Sequence, residues 1–287
     1  MSKRAAKWAL AVGMSLGLWK GAQALPPPPL TEVFNTESLP VNPVREYRVE
    51  GLQPPDGAKG EIWRVRLGSW EMAKSGHHTF LEFGPYCEKS EACPSQGDIY
   101  QIHGIAMDGV RKSHASLDFS KIQTYARYAE DDYVLKVQGV NHDHNKAFFN
   151  KKPDVYVDVF YGTKDEVLKY YMDAMQLAGR MNVKADSYEL LDQNSNSVQR
   201  TLLEGLGLKV PDIYVPHMLS AVGGRIWCPG VELSLLPQDW NRLQARAAGG
   251  YGQLSGDDLE RAARKISLGT DGVWPQKPAT PPKAPGA

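Results

Sequence analysis

Apolar and polar residues alternate along Glu61-Ile62-Trp63-Arg64-Val65-Arg66-Leu67, the period of two expected of a half-buried strand. His78–Phe83 and Asp98–His103 repeat the pattern, and Tyr133–Val137 and Asp154–Phe160 predict two further strands. The period then changes. Thr163-Lys164-Asp165-Glu166 has the spacing of a capping box, with Thr163 as N-cap and Glu166 three residues on. The helix it opens carries Val167, Leu168, Tyr171, Met172, Met175 and Ala178 on one face, where methionine serves as core filler. Tyr188–Leu191 predicts a short strand, Asn194–Ser197 a turn, and Val198–Leu206 a helix with Val198, Leu202, Leu203 and Leu206 on one side. Gly205 and Gly207 end that helix. Pro211–Leu236, broken by prolines and glycines, reads as long loops. Asp257–Ile266, with Ser255 as cap, predicts a last amphipathic helix. Strands followed by helices give an α+β class: an antiparallel sheet packed against helices, without internal repeats.

The two ends follow other rules. Lys3, Arg4 and Lys7 precede the apolar run Trp8–Trp19, and Ala22-Gln23-Ala24 offers a small-residue cleavage site. Residues 1–24 therefore read as a secretory signal peptide, too short in its apolar part for a membrane anchor. Residues 25–44 contain Pro26–Pro29, Pro40 and Pro43 and read as an extended leader. Residues 271–287 form a Pro-, Lys- and Ala-rich tail, which leaves 45–270 as the folded, catalytic-like domain.

Composition changes this picture only through charge. The 287 residues hold 33 bases and 33 acids, and loss of residues 1–24 removes Lys3, Arg4, Lys7 and Lys20, leaving a formal charge of −4. A mildly acidic exported chain is not built to coat nucleic acid or anionic lipid, and no later stretch is long and apolar enough to span a bilayer. Periplasm or medium is the expected location. In an oxidising compartment Cys87 and Cys93 could close a small disulfide loop, with Cys228 left over. His142 and His144 flank Asp143 in a knot of turn-formers with no fourth ligand in view, so a solvated turn is favoured over a metal site.

The candidate chemistry lies in Asn194-Ser195-Asn196-Ser197. A serine hydroxyl at a helix start sits beside unpaired N–H groups and the positive helix end, where an oxyanion can be held. Serine needs a base, and the base needs an orienting group. His78 and His77 adjoin on one strand and point to opposite faces, so only one can serve a given site; His103 could orient the imidazole if the strands pair. The bland alternative is that Asn and Ser are preferred cap residues and the histidines are half-buried strand residues. Phosphate-binding loops, zinc-protease helices and the G-x-S-x-G elbow do not occur.

The order of parts resembles the circularly permuted papain-like (NlpC/P60-type) hydrolases. A Gly-His-x-x-Phe-Leu strand (Gly76, His77, His78, Phe80, Leu81) comes first, then His103-Gly104, then the helix-starting Asn194–Ser197. In that family the nucleophile is a Cys inside a motif close to Asn-Cys-Asn-x-Phe. The resemblance places Ser195 where the Cys would be, His78 (or His77) where the base would be, and His103 where the third polar group would be. It implies a hydrolase or acyltransferase acting on an amide or ester, such as a cell-envelope peptide or acyl substrate, with no cofactor and no metal. Asn194, Asn196 and Ser197 would support the site, and N–H groups near Asn196 and Ser197 would hold the oxyanion. Serine in place of cysteine leaves a second expectation: a non-catalytic periplasmic binding or structural module of an envelope assembly that retains the fold.

Overall fold

In the computed structural model the segments with a period of two become the central strands of one sheet. The structure describes residues 30–33, 44–55, 62–71, 76–86, 99–108, 133–141, 153–184, 193–216 and 225–268. Residues 1–24 and 271–287, Cys87, Cys93, His142, His144 and Tyr188–Leu191 lie outside them.

The seven strands of the main sheet are β1 (Leu30–Val33), β2 (Arg45–Val49), β3 (Ile62–Glu71), β4 (His77–Pro85), β5 (Tyr100–Asp108), β6 (Tyr133–Asn141) and β7 (Val155–Thr163). Their spatial order is β1-β2-β7-β3-β4-β5-β6. The sheet is mixed, which corrects the antiparallel expectation: β2 runs parallel to β7, with Arg45 opposite Val155, while the other pairs are antiparallel. Another difference lies in the leader. Its four consecutive prolines end at Pro29, so Leu30–Val33 retains its N–H groups and pairs with β2.

Four described helices follow: α1 (Lys164–Lys184), α2 (Ser195–Leu206), α3 (Arg242–Gly249) and α4 (Gly256–Leu268). Thr163 N–H donates to Glu166 Oε2 at 2.8 Å and Glu166 N–H donates to Thr163 Oγ1 at 3.3 Å, the reciprocal pair of a capping box, and α1 starts there. At the other end of α2, Gly207 takes φ 71°, and Leu208 N–H donates to Leu203 at 2.8 Å, a left-handed cap open to glycine. Two residue pairs in the expected loop region, β8 (Tyr214–Val215) and β9 (Ile226–Trp227), form a small parallel ladder. Among the described residues no helix is long and apolar enough to cross a membrane.

Strand alternation divides the sheet into two unlike faces. Leu67, Leu81, Phe83, Tyr100, Ile102, Val137 and Val157 join Leu168, Tyr171, Met172 and Met175 of α1 and Val198, Leu202 and Leu203 of α2 in the core. Burying each large apolar side chain contributes about 1.5–3 kcal/mol, so this face holds the helices in place. The opposite face carries Arg66, Trp70, His78, Phe80, Glu82, Gln101 and His103, a polar and aromatic set joined by its own hydrogen bonds and ring contacts.

Candidate functional site

Asn194 caps α2 in extended backbone, φ −142° and ψ −165°. Its Oδ1 accepts from the N–H groups of Asn196 (2.8 Å) and Ser197 (3.4 Å), and Asn194 N–H donates to Ser197 Oγ at 2.9 Å. Both neighbouring amides are tied down as well: Asn194 Nδ2 and Asn196 Nδ2 each donate to Pro229 O, at 3.0 and 2.9 Å. Asn196 Oδ1 accepts from Thr79 twice, from N–H at 3.1 Å and Oγ1 at 2.8 Å. The motif therefore clasps three parts of the chain: β4, α2 and the segment after β9. All four of its residues are buried.

Ser195 sits within this clasp, 4% exposed, with Oγ 3.5 Å from Asn196 Oδ1, the outer limit of a hydrogen bond. A Cβ placed on Gly104 would come within 2.8 Å of Ser195 Cα, so the start of α2 rests directly on the β5 backbone. The N–H groups of Asn196 and Ser197, expected to receive an oxyanion, donate instead to the Asn194 side chain. This is a correction to their expected role. A side chain chemically ideal as a cap competes for the donors an oxyanion would use.

A separate polar chain runs across the other face. His78 Nε2 lies 3.2 Å from His103 Nδ1, His103 Nε2 lies 3.0 Å from Gln101 Oε1, and Gln101 Nε2 donates to Glu82 Oε2 at 2.7 Å. Glu82 also accepts from Arg66 Nε at 2.7 Å and from Tyr156 O–H at 3.1 Å. The carboxylate can only accept, which orients the Gln101 amide with its NH2 toward Glu82 and its oxygen toward His103. His103 then carries its proton on Nε2 and accepts at Nδ1, so His78 donates from Nε2. In neutral His78 the lone pair is consequently at Nδ1. Trp70 stacks on His78 with ring centroids 4.5 Å apart.

The charges along this chain have opposing influences. Burial alone would raise the Glu82 pKa, but Arg66 and the Gln101 hydrogen bond hold it below its ordinary value. Burial would lower that of Arg66, and Glu82, Tyr156 and Asp158 together raise it. His103 is driven well below the usual imidazole range by burial first and by His78 second, which keeps it neutral.

The structure thus joins His78 to His103 as expected and separates both from Ser195. Gly104 meets Ser195 on the face toward which its Cβ would point, and His103, one residue earlier, points the other way. Likewise Thr79 bonds Asn196 while its neighbour His78 stacks on Trp70 across the sheet. The relay Ser195–His78–His103 is not assembled, because one residue of strand register decides the face. His77 occupies the Ser195 face, half-buried; its Nδ1 is buried without a hydrogen-bond partner, and burial lowers its pKa against the pull of Asp154 and the Trp227 carbonyl. Cys228 is a buried free thiol whose pKa burial raises, the opposite of an activated nucleophile.

Sequence reading missed Gln101, Arg66 and Tyr156 as partners of Glu82 and the histidines, although Gln101 and His103 share a face by strand period. Thr79 and Pro229 carried no such signal. Among the described residues no three His, Cys, Asp or Glu side chains gather as a metal ion would need. No protein-family model matches the chain, and neither does a curated protein or a solved structure.

Proposed function

We propose that this chain is an exported, non-catalytic binding or structural module of the cell envelope, with a permuted papain-like architecture in which Asn194–Ser197 clasps the helix to the sheet. The observation carrying this reading is the separation of Ser195 from His78 and His103 by the sheet itself, together with the engagement of the Asn196 and Ser197 N–H groups by Asn194. A hydroxyl cut off from the His78–His103 pair, beside N–H groups already engaged by Asn194, gains little over serine in water. The order of His-bearing strands before the Ser-bearing helix supports the permuted architecture. The basic, apolar and small-residue pattern of residues 1–24 supports export to the periplasm or medium.

A second reading, the exported hydrolase or acyltransferase on an amide or ester, is favoured by one observation: the buried, unpartnered Nδ1 of His77 on the Ser195 face. Reaction of the full chain with a fluorophosphonate, followed by mass spectrometry, separates the two. The module predicts no adduct at Ser195. An adduct at Ser195 that His77→Ala abolishes would replace it with the enzyme.

A further inference from the structure

Arg225, just before β9, has its Nε buried with no hydrogen-bond partner. Burying part of a guanidinium without an acceptor is costly, so the half-buried Arg225 is held in place at a penalty. Arg225 lines a cavity of about 290 Å³, close to the lower end of the roughly 300–1,000 Å³ of small-molecule sites. Arg200 of α2 reaches the same cavity, but Glu204 already engages it through Nε at 2.8 Å, and its Nη1 donates weakly to Val231 O at 3.4 Å. Arg225 makes no side-chain hydrogen bond or ion pair among the described residues, and its terminal Nη1 and Nη2, which unlike Nε are not sealed from solvent, are the donors it offers to the cavity. Val210 and Pro211 give the wall an apolar part, and the exposed carboxylates of Asp212 and Glu232 complete it.

We infer that this cavity binds a small zwitterion, an amino acid or the free end of a short peptide, with its carboxylate on Arg225 and its ammonium toward Asp212 and Glu232. A planar guanidinium fork matches a carboxylate with two parallel hydrogen bonds. Two carboxylates in the same wall repel polyanions and attract an ammonium group, so a phosphate-rich ligand fits poorly. This assignment rests on the binding-module reading and names the chemistry of what the module holds.

The test is titration of the full mature chain with alanyl-alanine, its C-terminal amide and its N-acetyl form, followed by NMR at the Arg225 Nε–H resonance and by calorimetry. The free dipeptide should shift that resonance saturably, and the amide and the N-acetyl form should each bind at least tenfold more weakly. Arg225→Gln should lose binding at least tenfold, whereas Arg225→Lys, checked for folding by circular dichroism, should lose less. Equal shifts from dipeptide and amide, or no shift with any of them, would overturn the assignment. Failure here with Ser195 unlabelled by fluorophosphonate removes the ligand and leaves the module; labelling at Ser195 removes the module reading itself.

Discussion

Gly104 and Ser195 touch backbone to backbone: a Cβ added to the glycine would lie 2.8 Å from Ser195 Cα. That contact fixes how closely α2 approaches β5, and with it the face on which Ser195 lies. Gly104→Ala should push the helix start off the sheet and strain the clasp. A loss of about 1–3 kcal/mol is expected, as for other overpacked cores. Urea unfolding measures it; a variant as stable as the parent would mean that α2 sits further from β5.

Within the clasp the energetic order follows from counting partners left behind. Asn196→Ala strands the buried Thr79 N–H and O–H and takes from the Pro229 carbonyl one of its two donors, at about 3 kcal/mol or more. Asn194→Ala removes a cap, at about 1–2 kcal/mol. Ser195→Ala loses one long bond and should cost less than about 1 kcal/mol. Chemical denaturation of the three variants checks the order, and Ser195 ranking first would refute the clasp.

Glu82→Gln keeps the shape of the side chain and removes its charge, taking from the buried Arg66 guanidinium its closest counterion. Breaking such a pair typically costs about 3–5 kcal/mol. Glu46 lies 3.8 Å from Arg66, a poor substitute, so little rescue is expected. A loss under about 1 kcal/mol would show that the pair is solvated.

The pH dependence has a definite sign. His103 and His77 have folded pKa values lowered from 6.5, so the unfolded chain binds the proton more readily. Their contribution is full above about pH 7 and is lost as pH falls below 6.5. Glu82, lowered from 4.5, adds a loss of the same sign below that value. Denaturation midpoints should be flat from pH 7 to 8 and should fall in two steps on acidification. His103→Gln should remove most of the upper step; a stability that rises from pH 7 to 6 would contradict this arrangement.

Much of the sheet was readable because one of its faces is apolar and the other largely polar: alternation in Glu61–Leu67, His78–Phe83 and Asp98–His103 located β3, β4 and β5 to within a few residues. The capping box at Thr163–Glu166 located the start of α1. Alternation does not say which face meets the helices. His77 and His78 are equivalent to that pattern, and only the packing of Thr79 against Asn196 distinguishes them. The parallel partnership of β2 with β7 joins residues far apart in sequence and leaves no local mark. Helix α3 was missed because none of its residues is buried. It is attached instead by Arg246, whose Nε donates to the buried Asp173 at 3.1 Å, a contact between charged residues that periodicity does not display.

The most direct test of the separation between Ser195 and His78 uses Ser195→Cys. A thiol beside an imidazole is drawn to its thiolate near neutral pH and alkylates quickly. Alkylation of Cys at position 195 by iodoacetamide in the native protein, followed by mass spectrometry, should be slow at pH 7 and unchanged by adding His78→Ala. A fast reaction that falls tenfold or more when His78 is removed would place the two groups side by side and contradict the fold described above.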